Sequence, residues 1–454
     1  MTPPNTKNGA RSSLTRRLAT GAAWAFALQA TGSASTLGAN AILARLLSTA
    51  DFGAFLLLNS IAVLAAMIAR LGLKQTVVRF VAESISRNEP GRAGHALRIV
   101  YSLVTIGAIA VGGTYAAAIG SWLASDVFYM PILATVIGTT ALWICILAFQ
   151  TPVAETFRGL HDIRLAVLFD GVLASVLALL TLTLVWTFYE HLAFSSAVQL
   201  MTAAAGLSLL LGTFLLRRKA KHLSGRGSTS FREVLSVSSP IFVANLATHA
   251  MTNFSIWIVG ALFVARDVAL YGAAWKLVML VLLPLTLVNM TVQPVIAELN
   301  ATGERVRLQN VLRGMATLAG IPSALVLTLY LVAGADVLTI VFGSDYEHAR
   351  TILMILSIGM FVDVWSGSCA LVLVFTGHQR QYMTITVIAG LITCSLIVVA
   401  GHYYGVTGVA AAVSTGKFIQ NVATWLLVRK LTTLWTHVTF SPAFIVSAFR
   451  RLIG

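Results

Sequence analysis

Apolar runs long enough to cross a bilayer follow one another along almost the whole chain. A helix needs roughly 20 apolar residues to traverse the hydrocarbon. Twelve such runs can be marked, at about 18–44, 52–74, 99–123, 128–150, 165–188, 194–216, 237–262, 268–296, 313–333, 349–375, 382–401 and 405–428. A soluble chain carries about a quarter of its residues as charges; here only 10% of 454 residues are charged and 57% are hydrophobic. The chain is therefore expected to be an all-α integral membrane protein, because backbone polar groups inside hydrocarbon must be satisfied within the segment itself. The first run follows Arg16 and Arg17 and so resembles a signal peptide. It is longer than a signal peptide's apolar stretch, and further runs follow, so cleavage is not expected.

Orientation follows from Lys and Arg alone. The N-terminus, the even-numbered connections and the tail hold 26 of the 31 basic residues, with six of them, Arg217, Arg218, Lys219, Lys221, Arg226 and Arg232, in the middle connection. The odd-numbered connections hold three, Arg45, Arg266 and Arg350. That alternation predicts twelve spans with both termini in the cytoplasm. The organisation expected is a cytoplasmic segment 1–17, a six-helix bundle 18–216, a basic linker 217–236, a second six-helix bundle 237–428 and a tail 429–454. The tail, with Trp435, Phe440, Phe444 and Phe449, fits an amphipathic helix lying in the interface and equally a frayed end.

The net charge of +15 is spread between apolar runs, which excludes a nucleic-acid-binding domain. Cys145, Cys369 and Cys394 all fall inside apolar runs and read as packing residues, not bridges or metal ligands. Connections of about 20 residues at most leave no room for a soluble catalytic domain. Gly416-Lys417 is superficially like a phosphate-binding loop, but Ala411 and Phe418 break the motif and the segment is a membrane helix. No paired carboxylates, metal-type His cluster or nucleophile motif is present, so no cofactor and no enzymatic activity are expected.

The chain repeats itself weakly. Asp51-Phe52-Gly53 answers Leu270-Tyr271-Gly272; further on, Val81-Ala82-Glu83 answers Ile296-Ala297-Glu298 and Ala96-Leu97-Arg98 answers Val311-Leu312-Arg313, these two pairs at the same offset of 215. Phe157-Arg158-Gly159 is echoed by Phe375-Thr376-Gly377. Six spans per half make the repeats parallel, an arrangement in which two bundles rock about a shared substrate cavity.

Several stretches resemble a known family. Ala44-Arg45-Leu46-Leu47, Asp51-Phe52-Gly53, Leu71-Gly72-Leu73 and Val78-Arg79-Phe80-Val81-Ala82-Glu83 in the first half look like the Wzx-type polysaccharide flippases of the multidrug/oligosaccharidyl-lipid/polysaccharide (MOP) exporter superfamily. Tyr271-Gly272-Ala273-Ala274-Trp275-Lys276-Leu277, Gln293-Pro294-Val295-Ile296-Ala297-Glu298, Phe342-Gly343-Ser344-Asp345-Tyr346 and Tyr404-Gly405-Val406-Thr407-Gly408 agree in the second. The resemblance covers about residues 14–430 and implies a MATE-like fold of two six-helix bundles around a central cavity. It further implies a bacterial cytoplasmic-membrane flippase for an undecaprenyl-diphosphate-linked oligosaccharide. Membrane lipids surround such a protein, and a polymerase or glycosyltransferases are its partners. Members often carry an acid before the Leu-Gly-Leu of span 2; this chain has Arg70.

An ionisable side chain at bilayer depth costs roughly 2.5–3.5 kcal/mol on insertion scales, so it faces a partner or water. Lys417, Lys276, Arg70 and Lys74 are the candidate cations for an anionic head group, with Asp363 and Asp170 as charge partners or ion-coupling acids. Two readings stay open: a cationic lining, or lysines neutralised by those acids, with Arg70 and Lys74 as ordinary inner-face anchors four residues apart on one helix face. Polar stripes on three spans suggest cavity walls: Gln29, Ser33, Thr36 and Asn40; Asn245, His249, Thr252 and Asn253; Ser414, Lys417, Asn421 and Thr424. Two rival functions remain, a cation-coupled multidrug exporter of the same superfamily and an integral membrane glycosyltransferase or ligase.

Overall fold

The computed structural model describes residues 6–87, 89–223 and 230–439, and among them the regular structure is helical throughout. Helix α1 spans Thr6–Leu46. Helix α2, Thr49–Ala69, starts at Ser48, whose hydroxyl accepts from the Asp51 amide at 3.1 Å and satisfies one of the donors a helix start leaves open. Next come α3 (Leu73–Ser86) and four longer elements, α4 (Pro90–Val127), α5 (Pro131–Gly159), α6 (Ile163–Phe188) and α7 (Phe194–Lys219). Helix α8, Phe231–Leu262, is followed by α9, Ala265–Ala301, and α10, Arg305–Phe342. The chain closes with α11 (Ser344–Ser366), α12 (Cys369–Phe375) and α13 (Gln379–Thr432). Among the described residues, nine helical stretches are long and apolar enough to cross a bilayer. The last, α13, carries two of the apolar runs and bends at Gly405, where φ is 62°.

The chain divides into two compact units, Met1–Asn253 and Phe254–Gly454, with the boundary inside α8. In the first unit α1 packs on α6, α2 and α3 on α5, and α5 on α7. Small residues let these helices approach closely: a Cβ at Gly107 of α4 would lie 2.0 Å from the Ala69 carbonyl oxygen of α2. In the second unit α9, α10 and α11 pack on one another and α11 packs on α13.

Among the repeated motifs and the stretches that carry the family resemblance, some are packing and turn devices. Phe52 and Tyr271 are both fully buried at the starts of α2 and α9. Gly343 ends α10 with a φ of 116°, and Tyr346 just beyond it is buried against Phe342 with ring centroids 5.6 Å apart.

Two helices expected to be continuous are broken. Span 2 stops at Arg70, passes through Leu71 (φ 48°) and Gly72 (φ 71°), and restarts as α3. Only glycine fits at position 72: beyond its left-handed φ, a Cβ there would meet the Ser238 carbonyl oxygen of α8 at 2.6 Å. Arg70 and Lys74 therefore do not share one helix face, because the break reorients the chain between them. Span 10 breaks at Gly367, separating α11 from α12.

Candidate functional site

The break at 70–72 sends two cations onto one target in the first unit. The Lys74 ammonium lies 3.3 Å from Glu155 Oε1 of α5 and 3.5 Å from Asp170 Oδ2 of α6. Arg158, one turn after Glu155, reaches the same two carboxylates, at 3.0 Å and 3.9 Å. Arg70 donates from Nη1 to Thr151 Oγ1 at 2.5 Å and is within electrostatic reach of Asp170 and Glu155. Asp170 and Gly171 depart from helical geometry, the latter with φ 107°, so this carboxylate too is presented from a local distortion. Glu155 has only 1% of its side chain exposed. A carboxylate so removed from water stays ionised only with partners, and here it has two. The cluster as a whole holds three cations and two carboxylates.

The sequence had marked Arg70, Lys74 and Asp170 but not Glu155 or Arg158. The apolar run was ended at 150, whereas α5 continues helical to Gly159. The signal available was the i, i+3 spacing of Glu155 and Arg158 on a helix extended about two turns past Pro152.

The second unit holds a simpler arrangement. Lys417 of α13 lies 3.6 Å from Asp363 Oδ2 of α11. The Ser414 hydroxyl, one turn earlier, donates to the Ile355 carbonyl oxygen at 2.8 Å. The polar stripe of span 12 thus faces α11. Asn421, one turn beyond Lys417, is buried, and its amide nitrogen has no hydrogen-bond partner among the described residues. Lys276 sits half-buried on α9, five residues past Tyr271. Asp170 is taken by Lys74 and Arg158 and Asp363 by Lys417, and Lys276 forms no ion pair among the described residues.

The other two stripes are partly self-satisfied. Thr36 donates to the Gly32 carbonyl oxygen and contacts Ser175 Oγ of α6 at 3.0 Å, and Asn40, buried, donates to the Thr36 carbonyl oxygen at 2.6 Å. Gln29 is half-buried. On α8, Asn253 donates to the His249 carbonyl oxygen at 3.0 Å and accepts from Ser60 of α2 at 3.4 Å, with Asn245 half-buried two turns before it. Three of these bonds run back one turn within the same helix, and Thr36–Ser175 and Ser60–Asn253 cross between helices.

The first unit thus sets three partly exposed cations against two carboxylates within an all-helical fold. Solved structures agree on the fold. One described as the inward-facing conformation of a multidrug resistance MATE family transporter of the MOP superfamily superposes with a TM-score of 0.75 at 15% identity, covering 88% of this chain and 94% of that one. A MOP superfamily transporter from Pyrococcus furiosus, whose description speaks of reversed polarity in its binding pocket, gives 0.60 at 16% identity over 91% and 94%. The family model described as MatE matches residues 240–399. The model described as polysaccharide biosynthesis protein matches residues 18–300, and the chain belongs to that family. A relative from Haloferax volcanii, a probable low-salt glycan biosynthesis flippase, is 23% identical over 387 residues, which are 84% of this chain and 76% of the relative.

Proposed function

We propose that this protein is a flippase that carries an oligosaccharide linked to undecaprenyl diphosphate across the bacterial cytoplasmic membrane by alternating access, for surface polysaccharide biosynthesis. The observation that carries the reading is the cluster of Arg70, Lys74 and Arg158 around Glu155 and Asp170, with cations in excess. A diphosphate holds fixed negative charge that cannot enter hydrocarbon alone, and guanidinium and ammonium groups supply the charge-assisted hydrogen bonds that replace its water. Lys417, with the unpartnered Asn421 amide one turn away, and Lys276 serve as further contacts to the head group or its sugars. Gln29, Asn40, Asn245, His249 and Asn253 serve as polar wall.

The reading includes twelve spans, two six-helix halves joined by the basic segment 217–236, and both termini in the cytoplasm. Glycosyltransferases supply the substrate and a polymerase consumes the product. No chemical step on the substrate is needed, so the protein acts without catalytic residues. A multidrug exporter for cationic compounds is disfavoured because Glu155, Asp170 and Asp363 are each already neutralised by a resident cation.

The deciding experiment measures export of lipid-linked glycan in cells carrying Lys74→Ala, Arg158→Ala and the double variant. Export per unit of membrane-inserted protein should fall at least tenfold, and undiminished export in the double variant would overturn the reading. Topology is checked separately. Cysteines placed at 190 and 267 should label from outside intact cells and one at 225 only after permeabilisation, and external labelling at 225 would sink the twelve-span arrangement.

A further inference from the structure

The break in span 10 leaves backbone groups that α11 cannot satisfy. The last carbonyls of any helix lack intrahelical donors, and an unsatisfied one away from water costs several kcal/mol. Here the donors come from the seven residues that follow α13. Val438 N–H donates to the Trp365 carbonyl oxygen at 3.0 Å, and the Thr436 hydroxyl donates to that of Ser366 at 2.8 Å. Thr436 Oγ1 also lies 2.9 Å from Cys369 Sγ on the far side of the break. Gly367 is what admits this segment: its φ is 73°, and a Cβ there would stand 2.5 Å from the Thr436 carbonyl oxygen.

The same seven residues are tied to α10 and α13. Trp435 N–H donates to Gln309 Oε1 at 2.9 Å and Thr439 N–H to Thr317 Oγ1 at 3.1 Å. Trp425 Nε1 donates to His437 Nδ1 at 3.3 Å, and the His437 ring packs on Trp365, Trp425 and Trp435 with centroids 5.2–5.6 Å away. Leu434, Thr436, Val438 and Thr439 are buried. One turn before the break stands Asp363, whose carbonyl oxygen accepts from Ser366 Oγ at 2.9 Å and whose carboxylate pairs with Lys417.

We propose that residues 433–439 are a positioning strap: they cap the broken helix from outside and so hold Asp363 against Lys417. Thr436 and Val438 are its working residues and Gly367 is its seat. Without those donors the Trp365 carbonyl oxygen loses the Val438 amide and that of Ser366 keeps only the weak Cys369 thiol donor at 3.1 Å, so better donors must come by straightening of the helix or by entry of water, and either event displaces the turn that carries Asp363. The strap gains a part in transport only if the Lys417 site has one.

Cys369 reports on the strap directly, because it is 2% exposed and lies against Thr436. The full chain with Cys145→Ser and Cys394→Ser, purified in nanodiscs, is treated with N-ethylmaleimide. Alkylation of Cys369 should be slow, at least tenfold faster in Thr436→Ala and Gly367→Ala, and slow again in Thr436→Ser, which keeps the hydroxyl. Equal rates in all of these would overturn the strap. Its positioning role is read from thermal midpoints of Lys417→Ala measured with and without Thr436→Ala. The shift caused by Lys417→Ala should be at least halved when Thr436 is already Ala, because the pair is then loosened beforehand, and strictly additive shifts would overturn the positioning claim. Both measurements use protein without substrate, so their failure leaves the transport reading standing, and loss of that reading leaves them intact.

Discussion

The two units handle buried charge differently. In the first, Glu155 and Asp170 are each shared between Lys74 and Arg158, so each of these four charges has a second partner within 4 Å. In the second, Lys417 and Asp363 have only a pair, 3.6 Å apart, on two helices one of which is broken four residues later. A network tolerates the loss or diversion of one member, because the remaining partner keeps the charge compensated. A pair does not. The first arrangement suits a site that must release its cations to an incoming anion and take them back. The second suits a contact that is either made or broken.

The largest expected effect tests the pair. Lys417→Ala strands a carboxylate, and breaking a fully buried ion pair costs about 3–5 kcal/mol. Exposure of 28% at Asp363 and 35% at Lys417 moves the expectation to the lower end. Membrane abundance and thermal midpoint should therefore fall, and Lys417→Ala with Asp363→Ala should recover both. If Lys417 binds the head group, the double variant stays inactive in export; restored export would remove Lys417 from the substrate site.

A smaller effect is expected where the charges are shared. Glu155→Gln removes one carboxylate but leaves Asp170 for both Lys74 and Arg158. Hydrogen bonds to charged groups are worth about 1.5–3 kcal/mol, and partial compensation should keep the loss near the bottom of that range. The variant should also bind inorganic diphosphate more tightly than the parent, since the freed cations no longer have a resident competitor. Titration calorimetry on purified protein measures this, and weaker binding would contradict the sharing argument.

The smallest effect concerns pH. Burial first, and Arg313 second, hold the His437 imidazole below its ordinary value of about 6.5. The released strap then binds protons more readily than the docked one, so docking is complete above about 6.5 and weakens as pH falls below it. The acceptor role of Nδ1 toward Trp425 requires the same neutral ring. Tryptophan fluorescence from the Trp365, Trp425 and Trp435 cluster should change between pH 7.5 and 5.5, and His437→Gln should flatten that change. A pH-independent signal in the parent would separate His437 from strap docking.

Much of this was legible along the chain. The apolar runs fall on helices, and Lys417 and Asp363, which stand out along the chain as charges inside apolar runs, form an ion pair. Glu155 and Arg158 were read as loop residues because hydropathy falls at Pro152 while the helix does not end there. The tail from 432 was read as an interfacial helix or a frayed end. Its described part, 433–439, is neither; it has no regular secondary structure and is bonded into the second unit, and residues 440–454 lie outside the described residues.

The division has a physical cause. Hydropathy and loop charge act on each segment through its own solvent, so sequence alone determined a helical membrane protein, while the breaks at Gly72 and Gly367, inside runs expected to be continuous, came only with the structure. Which carboxylate neutralises which lysine depends on contacts between segments tens or hundreds of residues apart, as with Lys74 and Glu155 or Ser366 and Thr436. Only the tertiary structure decided those, because a Coulomb or hydrogen-bond partner is chosen by distance in space and sequence order carries no measure of it.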